Sequence, residues 1–171
     1  MCNTPNSQQQ QHQKNVALLF HQVNVGKGGP NMDIALQQAW DDGAHVVMFQ
    51  EPWTMKKGEG FITKSHPGYN SHKQIGGKGI RPRAITFTRK GLHATRIFSS
   101  KSQTADYCFV KVSGVMFVNV YRAPGPSGTL ELLFQWTPTG STIVRGEFNA
   151  VSRHWQPQAP RQYGNGDQIM E

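Results

Sequence analysis

The sequence predicts an α/β fold from a strand–helix–strand unit near its start and a β-rich second half. Apolar residues on both faces predict a buried strand over 16–24, and a similar run predicts another over 45–51. A glycine-rich loop and a helix over 32–42 are predicted between them. The apolar positions that indicate this helix are Ile34, Leu36, Ala39 and Trp40. Together these elements form a βαβ-like unit, which is expected to be right-handed.

The remainder of the chain is predicted to be mainly β-structure. Glycines and prolines interrupt 54–82, which indicates loop with short strands. Later runs with the composition of strands are 83–89, 106–112, 115–121 and 141–146. A short helix is predicted around 130–136, and 166–171 has the pattern of a helix that is just beginning. Residues 1–14 are predicted to be a disordered glutamine-rich tail, so the folded domain is expected to be 15–171.

The charge balance favours a polyanionic partner. Lysine and arginine number 18 against 10 aspartates and glutamates, which gives a formal net charge of +8. Such a surface attracts nucleic acid, because contacts to phosphates release condensed counterions. The alternative is a basic protein with no such partner.

Composition also bears on the compartment. No window approaches the roughly 18 consecutive apolar residues of a transmembrane helix, so no membrane partner is expected. The N-terminus lacks the apolar stretch of a secretory signal, and the 2 cysteines do not form a disulfide framework. We therefore expect an intracellular protein, nuclear or cytoplasmic, that is not secreted.

Three predicted strands share one feature, which is that polar residues follow at their ends. These residues are Gln22 and Asn24, Gln50 and Glu51, and Glu147 and Asn149. Ligands of open α/β sheets bind beyond the carboxyl ends of the strands. Carboxylate and amide oxygens gathered there would suit Mg²⁺ or Mn²⁺. The alternative for each glutamate is a solvated charge at the point where a strand reaches the surface.

Several motifs carry a family resemblance. They are Asn24-Val25, Phe49-Gln50-Glu51-Pro52-Trp53, Asn119-Val120-Tyr121-Arg122-Ala123-Pro124 and Gly146-Glu147-Phe148-Asn149-Ala150. Further matches are His66-Pro67-Gly68-Tyr69, Arg81-Pro82-Arg83, Trp155 and Gly164-Asn165-Gly166-Asp167. In this order, over 16–171, the sequence resembles the endonuclease/exonuclease/phosphatase superfamily. Within it, the chain is similar to the endonuclease domain of LINE-type retrotransposons, particularly those of fungal genomes.

The resemblance implies a two-sheet α/β sandwich that cleaves phosphodiester bonds with a divalent ion. Glu51 matches the metal-binding glutamate, and Asn24 matches the asparagine beside the metal. Tyr121 matches the tyrosine that approaches the scissile phosphate, and Asn149 the asparagine that orients the nucleophile or phosphate. Glu147 occupies the place of the catalytic aspartate.

Two departures from the family pattern set further expectations. The motif Gly-Asp-Phe-Asn is here Gly146-Glu147-Phe148-Asn149. One extra methylene moves a carboxylate by about 1.5 Å, and a misplacement of about 1 Å can cost roughly a hundredfold in rate. The family also continues past this point with further strands, another aspartate and a final Asp-His pair, for which this sequence has no match. The fold is therefore expected to be incomplete at the C-terminus, with exposed strand edges that a homo-oligomer would cover.

The sequence supports a first hypothesis and two alternatives. The first is an endonuclease-like domain that acts on DNA with reduced activity and uses Mg²⁺ or Mn²⁺. Its expected nucleic-acid-binding residues are Arg81, Arg83, Arg122, Lys56 and Lys57. The alternatives are a catalytically inactive retrotransposon-derived domain that binds nucleic acid, or one that binds or converts a small molecule in the former cleft. His154 is a further candidate near the pocket, although an exposed loop histidine is the competing interpretation.

Overall fold

The computed structural model describes residues 17–73, 79–96, 105–125, 128–138, 140–164 and 166–170. The predicted disordered tail lies outside these ranges. The strands are β1 (Phe20–Asn24), β2 (Val46–Gln50), β3 (Thr54–Lys57), β4 (Gly60–Thr63), β5 (Tyr69–Lys73), β6 (Ala84–Arg89), β7 (Ala94–Arg96), β8 (Tyr107–Val112), β9 (Val115–Tyr121) and β10 (Thr142–Glu147). The helices are α1 (Gly29–Asp41), α2 (Thr129–Phe134) and α3 (Gly166–Met170).

Two four-stranded sheets form the frame of the described chain. The first has the strand order β1-β2-β6-β5, and the second has the order β10-β9-β8-β7. Each sheet contains one parallel pair, β1 with β2 and β9 with β10, while the other pairs are antiparallel. Strands β3 and β4 form a separate hairpin. The prediction of a βαβ-like unit followed by β-rich structure is confirmed, and the two strands of the unit are parallel.

The central strand β2 has core on both of its faces, because its side chains alternate between two clusters. Val47 and Phe49 pack with α1 on the outer side of the first sheet, where the helix contributes Met32, Leu36 and Ala39. Val46 and Met48 point the other way and pack against residues of the second sheet, namely Cys108, Val110, Val112 and Phe117. The sheets therefore lie face to face around a shared core, as the predicted two-sheet α/β sandwich requires.

A third cluster covers the outer face of the second sheet. Tyr107, Phe109, Val118 and Val120 pack there against half-buried residues that include Leu132 and Leu133 of α2. The second sheet is thus covered on both faces, by the first sheet and by this short helix. No helix in the described part of the chain has the length and apolar character that crossing a membrane requires.

Three details of the structure differ from the sequence expectation. Strand β1 starts at Phe20 and is partly exposed rather than buried on both faces, because it lies at the end of its sheet. Ile34 is 69% exposed instead of contributing to the helical core stripe. Helix α1 packs through Met32, Leu36 and Ala39, and at about 100° per residue Ile34 lies on the opposite side from this stripe. The helix also begins earlier than predicted, at Gly29, with a proline in its first turn.

Candidate active site

The two parallel strand pairs bring four of the predicted site residues together. Asn24 ends β1 and pairs in register with Gln50, the last residue of β2, and Glu51 follows directly. Tyr121 ends β9 and pairs in register with Glu147, the last residue of β10. Because strands in a parallel pair end on the same side, each sheet presents two polar side chains at one edge. The contacts across the sheets show that these two edges meet.

Asn24 joins the two edges. Its amide nitrogen Nδ2 donates a hydrogen bond to Oε2 of Glu147 and lies 3.5 Å from Oε2 of Glu51. Its carbonyl oxygen Oδ1 accepts the backbone N–H of Gly26 at 2.8 Å, which fixes the orientation of the amide. One amide group therefore holds carboxylates that come from different sheets.

Glu51 is held by its backbone and by its side chain. Its φ of 47° is left-handed, which is uncommon for a residue other than glycine. Two backbone hydrogen bonds stabilise this conformation, from Glu51 N to Arg83 O at 2.9 Å and from Lys27 N to Glu51 O at 2.7 Å. Lys27 also places its Nζ 3.1 Å from Oε1 of Glu51. Burial acts to raise the pKa of the Glu51 carboxyl, but hydrogen bonds from Lys27 and Tyr121 outweigh it and hold the pKa below its ordinary value.

Tyr121 is a hydrogen-bond donor beside the carboxylates. Its side chain is almost fully buried and its hydroxyl bonds to Glu51. Burial, followed by the negative charges of Glu51 and Glu147, raises the pKa of Tyr121 to about 12, although the nearby Arg83 opposes the shift. The phenol is therefore protonated at neutral pH and can donate to an anion in the site.

A buried chain of amides lies behind the site. Gln50 and Asn119 are both fully buried, and Gln50 Nε2 donates to Asn119 Oδ1 at 2.5 Å. Asn119 Nδ2 donates to the carbonyls of Phe49 and Ile85 at 3.1 and 2.9 Å. Gln22 extends the chain by donating to Gln50 Oε1 at 3.0 Å. Gln22 and Gln50, which the sequence suggested as pocket amides, thus form part of a bridge between the sheets.

Asn149 and Arg122 form a separate unit beside the carboxylates. Asn149 Nδ2 donates to the carbonyl of Arg122 at 2.7 Å, and Arg122 Nη1 donates to the carbonyl of Asn149 at 2.8 Å. Arg122 Nη2 donates to the carbonyl of Gly125 at 2.8 Å, and the residue is only 4% exposed. Its guanidinium therefore bonds to backbone carbonyls inside the protein, and through Asn149 it stabilises the loop after β10. Asn149 itself adopts a left-handed φ of 44°.

Three other predicted residues are not joined to the carboxylates by any contact within the described ranges. His154 is exposed, and its backbone N–H donates to Ser152 Oγ at 3.1 Å. Lys56 and Lys57 are exposed on β3, in the separate hairpin. Their positions agree with a surface role, and whether they bind nucleic acid stays a prediction.

A cleft of about 380 Å³ opens beside Glu51. Its lining residues are Lys27, Glu51, Ile80, Arg81, Pro82, Arg83, Ala105 and Tyr121. Arg81 and Arg83, both predicted to bind nucleic acid, therefore lie next to the carboxylate. Arg83 Nε is 2.5 Å from Oδ1 of the buried Asp106.

Sequence reasoning missed Lys27 and Asp106. Lys27 lies three positions after Asn24 in the glycine-rich loop. Its closeness in sequence to a predicted site residue could have indicated that it belongs to the site. Asp106 carried no signal, because its pairing with Arg83 depends on how two distant segments meet.

Glu51 and Glu147 are the carboxylates of this site that could hold a divalent cation. Within the described ranges, no group of three or more histidine, cysteine or acidic side chains could hold a metal ion. Glu51 and Glu147, however, converge on one amide nitrogen and offer carboxylate oxygens to the same space. Mg²⁺ is usually held by one or two carboxylates together with waters and substrate phosphates rather than by an all-protein cage. Two carboxylates beside a basic cleft match that pattern.

Comparison with solved structures identifies the fold. The chain is similar to the endonuclease domain of TRAS1, a telomere-specific non-LTR retrotransposon, with a TM-score of 0.62 and 16% sequence identity over 87% of this chain and 66% of that chain. The chain therefore shares its fold with this domain. A structure of an AP endonuclease from Archaeoglobus fulgidus also matches, with a TM-score of 0.41 and 13% identity over 70% of this chain and 48% of that chain. No protein-family model and no curated protein matches the sequence.

The fold that the sequence motifs implied, a two-sheet α/β sandwich, is therefore confirmed. The chain spans just under two thirds of the TRAS1 domain, at 66%.

Proposed function

We propose that this chain is a divalent-metal-dependent phosphodiesterase that cleaves DNA slowly. The observation that supports it is the meeting of Asn24, Glu51, Tyr121 and Glu147 at one edge of the sandwich, beside a cleft lined by cations. Carboxylates for a cation, a protonated phenol and positive side chains are the groups that phosphoryl transfer requires. The likeness to a retrotransposon endonuclease domain supports the same substrate class.

In this proposal each residue has a defined role. Glu51 and Glu147 would hold Mg²⁺ or Mn²⁺, which when bound would polarise a phosphoryl oxygen and offset its developing charge. Asn24 fixes the separation of the two carboxylates through its single amide group. The Tyr121 hydroxyl, which bonds to Glu51 in this structure, would donate to a phosphate oxygen once the Glu51 carboxylate holds the cation. Asn149 acts with Arg122 to fix the loop that follows β10.

The proposed rate is low because the site has few ionisable groups. Within the described ranges, no third carboxylate, histidine or cysteine joins Glu51 and Glu147 in a possible metal group. Proton transfer by a positioned side chain typically contributes about 100- to 10,000-fold to a rate. With only two carboxylates and a phenol in the site, we expect a smaller rate enhancement from proton transfer.

The test is a plasmid-nicking assay with Mg²⁺ or Mn²⁺, comparing the wild type with Glu51→Ala. The wild type should convert supercoiled plasmid to open circles, EDTA should stop the reaction, and Glu51→Ala should reduce the rate by about 100-fold or more. Glu131→Ala is the matched control, since it removes an exposed carboxylate from α2, away from the site. Equal nicking by the wild type and Glu51→Ala would overturn the proposal.

A second candidate is a domain that binds DNA without cleaving it. It is favoured by the position of Lys27, whose ammonium already contacts the Glu51 oxygen that a metal ion would need. In that case the wild type would nick no plasmid in either metal, yet it would bind DNA in EDTA with an affinity that falls steeply with salt.

A further inference from the structure

We propose that Lys27 belongs to a phosphate-binding subsite, and that its ammonium leaves Glu51 for a phosphate of the nucleic-acid backbone once Glu51 is neutralised. The inference rests on the nucleic-acid substrate of the proposed function. It adds Lys27 to that site, together with the exchange of its ion-pair partner from Glu51 to a phosphate. Glu51 would be neutralised by a bound cation, and the same effect can be produced by substitution.

The backbone directs the Lys27 side chain to this place. Its φ is 62°, in the left-handed region, and it follows Gly26, which has a φ of 55°. A glycine would adopt this conformation without steric cost, whereas a lysine does so at a cost. The conformation is held by the bond from Lys27 N to Glu51 O at 2.7 Å and by the bond from Gly28 N to Val25 O at 2.9 Å. The strained residue thus carries its ammonium to the mouth of the cleft.

The ion pair with Glu51 is easily exchanged. The side chain of Lys27 is 55% exposed and that of Glu51 is 21% exposed, so water screens their attraction. The neighbouring pair of Arg83 and Asp106 differs, because the Asp106 side chain is only 7% exposed and also accepts a hydrogen bond from Thr129. Arg83 is therefore tied to a buried partner, while Lys27 is free to turn into the cleft that it lines.

The charges of the cleft favour a phosphate as the new partner. Its lining contains three cations, Lys27, Arg81 and Arg83, and one carboxylate, Glu51. Asp106 compensates Arg83, whereas the described partner of Arg81 is the neutral carbonyl of Pro52, 3.3 Å from its Nη2. Among the described residues that line the cleft, neutralising Glu51 leaves Lys27 and Arg81 without a carboxylate, since Glu147 is held by Asn24 and is not part of the lining. A phosphate beside Glu51 and Tyr121 would then be within the cleft that both cations line.

The test measures binding of a short labelled DNA duplex by fluorescence anisotropy in EDTA, over about 50 to 200 mM salt. The proteins are the wild type, Lys27→Met, Glu51→Gln and the double variant. Lys27→Gly is added because glycine fits the left-handed backbone, and thermal unfolding verifies that every variant is folded. Lys90→Met is the matched control, since Lys90 is an exposed lysine after β6, at the strand end opposite Gln50 and Glu51.

The expected result is a larger effect of Lys27→Met when Glu51 is already neutral. In the Glu51→Gln background the substitution should weaken binding by about three- to tenfold and reduce the salt slope by about 0.9, the value for one lost phosphate contact. With Glu51 present both effects should be smaller, since Lys27 is then engaged. Lys27→Gly should behave like Lys27→Met, and Lys90→Met should show the same effect in both backgrounds.

Opposite coupling would overturn the inference. If Lys27 only neutralises Glu51, Lys27→Met will weaken binding more with Glu51 present than with Gln at that position. The subsite is refuted if the wild type binds duplex and Lys27→Met either shows this larger loss with Glu51 present or does not change the affinity. Either result leaves the proposed function intact. Failure of every variant to bind duplex also refutes the subsite, and plasmid nicking with Mg²⁺ or Mn²⁺ then decides separately whether the protein acts on DNA.

Discussion

Replacement of Asn119 by alanine should destabilise the protein measurably, because this side chain connects the two sheets behind the site. The substitution removes the bond from Gln50 Nε2 at 2.5 Å and the bonds to the carbonyls of Phe49 and Ile85 at 3.1 and 2.9 Å. A buried polar group that loses its partner costs about 1–3 kcal/mol. Three groups lose a partner here, and carbonyl oxygens tolerate the loss better because each has a second lone pair. We therefore take about 1 kcal/mol for each group, which lowers the free energy of unfolding by about 3 kcal/mol in total.

Thermal unfolding followed by circular dichroism measures this effect. For a protein of this size a loss of about 3 kcal/mol corresponds to a fall of roughly 6–12 °C in Tm. Asn70→Ala is the control, because Asn70 is an exposed strand residue whose replacement should change the free energy of unfolding by no more than about 0.5 kcal/mol. If the two substitutions shift the Tm equally, the amide bridge does not stabilise the junction of the sheets.

Three further predictions address the surroundings of the site. Gly146→Ala should destabilise the protein by about 1–3 kcal/mol and reduce nicking. The reason is that a Cβ at Gly146 would overlap the carbonyl oxygen of Val120 and push β10 away from β9. An unchanged Tm would contradict this prediction. Arg122→Met should lower the free energy of unfolding by about 2–3 kcal/mol, since Arg122 loses its bond to Asn149 O. Arg122→Lys should rescue little, because lysine lacks the planar fork, and full rescue by lysine would argue against this account. Self-association stays a prediction, and it is supported by the exposed Val144 on β10, which lies at the end of its sheet. A molar mass of 19.1 kDa measured by light scattering would be that of a monomer and would refute it.

The sequence predicts the buried strands well and the edge strand poorly. The apolar run over 115–121 coincides with β9, and the run over 45–51 differs from β2 by one residue at each end. Such strands are apolar on both faces, so their composition alone marks them. β1 has a similar composition but lies at the end of its sheet, and this position is set by pairing between distant segments. Composition therefore could not reveal that β1 is partly exposed.

The site was predictable where it depends on strand ends. Asn24, Glu51 and Glu147 were expected to gather beyond the ends of their strands, and their contacts show that they do. Each of the two sheets contributes one parallel pair to this edge. Contacts made by long side chains were not predictable. Arg122 has the residue type of a phosphate-binding residue, yet its guanidinium donates to backbone carbonyls inside the protein.

Glu147 shows how the structure changes an argument made from sequence. Compared with the aspartate of the family motif, its extra methylene suggested a displaced carboxylate. In the structure Glu147 extends from the second sheet to Asn24 of the first, whose amide nitrogen is also 3.5 Å from Glu51. An aspartate would be about 1.5 Å shorter and would withdraw from this junction. Glu147→Asp should therefore reduce nicking by about 100-fold and weaken Mn²⁺ binding measured by calorimetry. Glu147→Gln, which keeps the length, should retain the contact with Asn24 and lose Mn²⁺ binding through its missing charge. Faster nicking by Glu147→Asp would mean that the longer side chain is a defect, and that the contact with Asn24 does not position a working carboxylate.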